Sequence, residues 1–91
     1  MITVSVTDYG KKIAVEVTGH AGYAEHGSDI VCAGVTALVM GLNLYAVKDT
    51  VQMDNGYYNA EFDKKTAQAI DMFINGIREI ERLYPDYCEL R

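Results

Sequence analysis

Hydrophobic and polar positions alternate cleanly at the start of the chain. Ile2, Val4 and Val6 fall on one side and Thr3, Ser5 and Thr7 on the other. Residues 12–18 repeat the pattern, with Ile13, Val15 and Val17 set against Lys12, Glu16 and Thr18. A period of two in β-branched residues predicts two strands, each with one buried face. Asp8-Tyr9-Gly10-Lys11 between them is turn chemistry, so the pair reads as a hairpin. From Ile30 to Val47 the pattern changes to a nearly unbroken apolar run, which predicts a central buried helix capped by Ser28 or Asp29. At 18 residues it approaches a membrane span in length, but Cys32, Gly34, Thr36, Gly41 and Asn43 interrupt it. Amphipathic strands elsewhere in the chain are ready to cover it.

Val51–Asp54, Asn55-Gly56 and Tyr57–Phe62 predict a second hairpin, because Asn-Gly is the preferred dipeptide of a type I′ turn. Ile70, Phe73, Ile74, Ile77, Ile80 and Tyr84 recur at spacings of three and four, predicting a second helix. Asp63 or Thr66 is its expected cap, Pro85 ends it, and Tyr87–Leu90 reads as a short last strand. The order β-β-α-β-β-α-β predicts an α+β fold, a small sandwich of a mixed or antiparallel sheet with two helices. With 91 residues, this is one domain spanning 1–91. The 13 acidic residues outnumber the 8 basic ones, for a net charge of −5, and no basic stripe is present. Nucleic acid is therefore not the expected partner. Two cysteines are too few for a secreted disulfide scaffold, and the N-terminus lacks the layout of a signal peptide. These features predict a cytoplasmic protein without a membrane segment.

The segment from Gly19 to Gly27 holds three glycines and both histidines, His20 and His26. Cys32 follows in the first turn of the predicted helix, where unpaired N–H groups and the helix dipole favour a thiolate. A glycine-bearing loop can fold His20 back over Cys32 as its proton acceptor. Asp29 has two readings, as the helix cap or as the group that orients the imidazole. A lone cysteine in an apolar helix is also a common core residue, so the structural reading of Cys32 stands beside the catalytic one. At 100° per residue, Cys32, Thr36 and Asn43 lie within roughly 40° of one another, forming a narrow polar stripe. Gly34, Ala37 and Gly41 fall opposite it, a smooth surface for another element to approach.

Other candidates carry less. His26 lies six residues from both His20 and Cys32, a spacing that fits no structural zinc pattern, so neither a metal nor another cofactor is expected. Cys88 reads as a strand residue, and a redox pairing with Cys32 is not required by the spacing. Tyr57, Tyr58 and Phe62 read either as lining of an apolar substrate pocket or as core.

Gly19-His20, followed by Gly27-Ser28-Asp29-Ile30-Val31-Cys32-Ala33 with eleven residues between histidine and cysteine, resembles the ribosomal-processing cysteine protease family, Prp. Length and element order resemble that family over nearly the whole chain. The resemblance implies a cysteine endopeptidase with His20 and Cys32 as its dyad. Family members are homodimers that remove a short N-terminal extension from a large-subunit ribosomal protein, cutting after an aromatic residue in a hydrophobic segment. Two residues depart from the family pattern: Thr36 stands where serine is expected, keeping a hydroxyl, and Gly34 where alanine is frequent. With the family in view, backbone N–H groups around Cys32 are the expected oxyanion donors. The loop 21–27, with Gly22 and Gly27, is the expected moving part over a bound peptide, with a plain flexible connection as the other reading. Processing of a phage structural protein, and a non-enzymatic protein-binding module, remain as alternatives.

Overall fold

Valine and isoleucine alternation is realised as strands β1 (Ile2–Asp8) and β2 (Lys12–Thr18), paired antiparallel with Val4 opposite Val17 and Val6 opposite Val15. The computed structural model describes residues 1–25 and 29–91. The second hairpin consists of β3 (Gln52–Asp54) and β4 (Tyr57–Asp63), and β4 lies antiparallel to β2. The last strand, β5 (Cys88–Leu90), joins the far edge parallel to β1, with Ile2 opposite Cys88. The sheet order is β3-β4-β2-β1-β5 and the sheet is mixed, as the element order implied.

One face of this sheet carries Ile2, Val4, Ile13, Val15, Val17, Tyr58, Ala60, Phe62 and Cys88, all buried. Helices α1 (Ile30–Asn43) and α2 (Ala67–Leu83) cover it, giving a two-layer α+β sandwich. Helix α2 buries Ile70, Phe73 and Ile77 and leaves Asp71, Arg78, Glu79 and Arg82 outside, as its periodicity predicts, while half-buried Glu81 accepts the Leu90 N–H at 3.0 Å. The two helices approach closely: Gly76 faces Leu38, and Gly34 lies against Ile80.

Three expectations need correction. The first helix ends at Asn43, four residues short of Val47. Bonds from Tyr45 to Leu42 and from Ala46 to Asn43 tighten its last turn, and the Val47 amide leaves to donate to the Glu61 carbonyl at 2.9 Å. The helix is also not buried all round. Val31, Val35, Val39 and Leu42 pack inward, whereas Ile30 and Met40 are exposed, as is the capping residue Leu44. Of the smooth side, Gly34 meets α2 while Ala37 and Gly41 face outward. Finally, neither Asp63 nor Thr66 caps α2 with its side chain. A 3-10 turn at Lys64–Thr66 leads into the helix, the Thr66 hydroxyl donates to the Asp63 carbonyl, and the Asp63 carboxylate pairs with Lys12 at 2.6 Å.

Candidate active site

Asp29 starts the first helix in an extended conformation (φ −81°, ψ 101°), and its Oδ1 accepts the Cys32 N–H at 2.8 Å. This is the N-cap geometry that satisfies an orphan amide of the first turn. Its Oδ2 accepts the Tyr23 N–H at 3.0 Å. One carboxylate therefore ties the loop after β2 to the start of α1. Ser28, the other expected cap, lies outside the described residues, as do His26 and Gly27. Among the described residues Asp29 has no hydrogen bond to His20; its carboxylate accepts backbone amides instead.

The Cys32 N–H foremost, with the Tyr23 N–H adding to it, holds the Asp29 carboxyl below its ordinary value of 3.8. A carboxylate whose folded value is depressed contributes its tie fully above the unfolded value and loses it as pH falls through the folded one. The amide NMR shifts of Tyr23 and Cys32 are therefore expected to titrate together with a midpoint below 3.8 and to stay flat at neutral pH. Asp29→Asn removes that titration. A shared midpoint at or above 3.8 contradicts the arrangement.

Tyr23 is braced from the other end of the chain, its ring meeting Tyr84 and Tyr87 edge-on at centroid distances of 5.4 and 5.2 Å. Gly22, with φ +70°, supplies the bend before it. Upstream, Gly19 (φ +89°) lies so close to the Met1 carbonyl that no side chain fits there, and its N–H donates to the Gly56 carbonyl at 2.9 Å. The Met1 ammonium donates to the His20 carbonyl at 2.7 Å. The backbone around His20 is thus fastened to both the chain start and the β3–β4 turn.

His20 and Cys32 line the same cavity, of about 280 Å³, between α1 and the β3–β4 hairpin. Its walls are mostly apolar, including Val35, Val39, Met40, Met53, Tyr57 and Tyr58. A second depression is bordered by Gly22, Ala24, Asp29, Ala33 and Ala37. Four residues belong to both: His20, Cys32, Thr36 and Asn55. The polar stripe of α1 therefore faces the site. Its far end, Asn43, accepts the Tyr58 hydroxyl at 2.7 Å. Burial pushes the Tyr58 hydroxyl up to about 12, so it stays a neutral donor.

The two cysteines are free and differ in setting. Cys32 is partly exposed, whereas Cys88 is fully buried and its thiol is pushed up by that burial, with Glu81 adding to the effect. The backbone donors expected at the helix start are already engaged: the Cys32 amide bonds Asp29 Oδ1, and the Ala33 amide bonds the Asp29 carbonyl at 3.0 Å. Among the described residues, no cluster of three or more His, Cys, Asp or Glu could hold a metal ion. No described helix is long and apolar enough to cross a membrane.

The sequence reading missed Asn55 and Gly56. Their dipeptide signal was fully accounted for as a turn, and nothing in the sequence places that turn beside a histidine 35 residues earlier. Of the three aromatic candidates, Tyr57 and Tyr58 line the cavity, and Phe62 belongs to the core.

Known proteins are similar to this chain in sequence and in fold. The family described as cysteine protease Prp matches residues 1–89. A ribosomal processing cysteine protease Prp from Bacillus subtilis is 39% identical over 89 residues, covering 81% of this chain and 80% of its own. Two crystal structures of an essential ribosomal processing protease Prp from S. aureus superimpose on the whole chain. One, with a covalently linked product peptide, has a TM-score of 0.83 at 28% identity and is covered to 98%. The other, with a substrate peptide, has a TM-score of 0.76 at 26% identity and the same coverage. A cysteine at a capped helix start, a histidine across the same cavity and a match along nearly the entire sequence converge: the chain belongs to the Prp family of cysteine proteases.

Proposed function

We propose that this protein is an endopeptidase in which Cys32 is the nucleophile and His20 its proton carrier. The observation that carries the reading is the meeting of two cavities at His20, Cys32, Thr36 and Asn55. A scissile bond seated at that junction has its side chains directed into one cavity or the other. The Cys32 sulfur, having given its proton to His20, attacks the carbonyl carbon. As the tetrahedral adduct collapses, the C–N bond breaks and His20 returns the proton to the leaving amine. A water then attacks the thioester carbonyl, giving its proton to His20; the C–S bond breaks, the acid leaves, and Cys32 departs as the thiolate, to which His20 can return the proton. The Thr36 hydroxyl and Asn55 carboxamide are the polar side chains at the junction available to the carbonyl oxygen. Asp29 serves as the cap that fixes the start of α1. No cofactor takes part.

The substrate we infer is the short N-terminal extension of a bacterial large-subunit ribosomal protein, cut after an aromatic residue in the cytoplasm. The relatives named ribosomal processing proteases support it, as does a cavity walled by valine, methionine and tyrosine, which suits a large apolar side chain. The test is incubation with a peptide spanning such an extension. Mass spectrometry is expected to find a single cut on the carboxyl side of an aromatic residue. An intact peptide after prolonged incubation with folded protein removes this substrate, and a cut elsewhere removes the aromatic preference.

We further infer a homodimer built on the outer face of α1. Ile30, Ala33, Ala37, Met40, Gly41 and Leu44 form an exposed stripe that carries no charge in a chain of net −5, so two copies meet there without like-charge repulsion, the partner walling the second depression that Ala33 and Ala37 border. Sedimentation is expected to give a dimer for the wild type and a monomer for Ala37→Glu, with unchanged circular dichroism. A wild-type monomer at about 100 µM, well above the dissociation constant of an ordinary specific interface, refutes it.

A further inference from the structure

Among the described residues, no side chain hydrogen-bonds the His20 ring, although the residue is exposed. A histidine that must face one partner is ordinarily fixed by a hydrogen bond to its other nitrogen. Here a steric contact replaces it. Gly56, in the Asn55-Gly56 turn, has φ +73°, and a Cβ placed on it would stand 2.7 Å from His20 Nε2, 3.3 Å from Cδ2 and 3.4 Å from Cε1. The Nε2 edge of the imidazole therefore occupies the space that a side chain at position 56 would need, so such a side chain displaces the ring. The same glycine's carbonyl accepts the Gly19 N–H, so the turn holds the backbone before His20 as well as its ring.

We propose that Gly56 is a positioning residue for catalysis: its missing side chain is the seat that sets the His20 imidazole toward Cys32. This rests on the dyad reading above. Filling the seat moves the ring, and a displacement near 1 Å at a reacting group costs on the order of 100-fold in rate.

The molecule contains its own control. Gly10, in the β1–β2 turn, has φ +91° and nothing within 4 Å of its would-be Cβ. Asparagine enters positive φ more readily than other side chains, so Gly56→Asn and Gly10→Asn carry similar backbone costs. Only the first touches the histidine. The experiment compares both variants, Gly56→Ala, His20→Ala and the wild type. It measures melting temperature, iodoacetamide alkylation of Cys32 from pH 5 to 10 with buried Cys88 as reference, and kcat and KM on the extension peptide. Gly56→Asn is expected to lose at least tenfold in kcat with KM within twofold, and its Cys32 alkylation profile to move toward that of His20→Ala. Gly10→Asn is expected to keep the wild-type profile and kcat. Where the peptide is not cleaved, the alkylation profiles decide.

The proposal is overturned by a Gly56→Asn protein that matches Gly10→Asn, or by a loss confined to KM. It is equally overturned when both Gly56 variants fail to fold while Gly10→Asn folds, which would assign the glycine to folding alone. Failure of the dyad itself looks different. In that case His20→Ala leaves cleavage and Cys32 alkylation at wild-type values, whatever Gly56 does.

Discussion

Cys32→Ala is expected to stop cleavage of the extension peptide, lowering kcat by on the order of 10⁴-fold or more, as loss of a covalent nucleophile does. The fold should survive the change. Cys32 is only partly buried, its backbone N–H still bonds Asp29, and alanine favours helix. Cys88 cannot substitute, since it is sealed in the core on β5 with its thiol pushed up by burial. His20→Ala should cost a comparable factor, and the double variant little more than either alone, because nucleophile and proton carrier act as a unit. Mass-spectrometric turnover, with circular dichroism to confirm folding, measures all three. Cleavage by Cys32→Ala above about one per cent of wild type is incompatible with covalent catalysis at this residue.

The largest stability loss is expected at Phe62→Ala, about 3–5 kcal/mol by urea unfolding. Phe62 has no exposed surface and pairs with Ile13 across the β2–β4 ladder, near the middle of the sheet. Deleting its ring removes contacts shared with the helical layer and leaves a cavity that the rigid sheet can close only in part. A domain of this size shifts by roughly 4–8 °C per kcal/mol, so the melting temperature should fall by at least about 12 °C. Against a total stability of about 5–15 kcal/mol, this removes at least about a fifth of what holds the domain together. A loss below about 1 kcal/mol would mean that the buried face of β4 is not packed as described.

Much of the architecture was legible because it depends on local periodicity. The valines of β1 and β2 alternate, and the isoleucines of α2 recur at three and four, so the inner faces of these elements could be read directly. The end of α1 was not legible. Leu44, Tyr45, Ala46 and Val47 continue the apolar run, and what stops the helix is a bond from Val47 to Glu61, a partner fourteen residues away. The outward apolar stripe of α1 was hidden for a similar reason, since composition alone cannot tell a helix covered on all sides from one covered on a single side. In the candidate site, His20 and Cys32 stood out through their motif, and rotation about the helix grouped Thr36 and Asn43 with Cys32. Asn55 and Gly56 did not, because the sheet order that carries their turn to His20 is a tertiary fact. The dual role of Asp29 in tying loop to helix was equally invisible, as its second partner, the Tyr23 amide, is set by the path of the loop.

The bracing of Tyr23 by Tyr84 and Tyr87, together with the pairing of Ile2 with Cys88, bears on the order in which activity is born. Residues near the two extremes of the sequence shape the loop that carries His20. During synthesis, the stretch holding histidine and cysteine leaves the ribosome long before the tyrosines that steady it. On the proposed dyad, a nascent chain therefore carries both groups before the bracing tyrosines are present, and the bracing step comes late. The long closure that brings β5 beside β1 is also the slowest kind of contact to form, so it delays that step further.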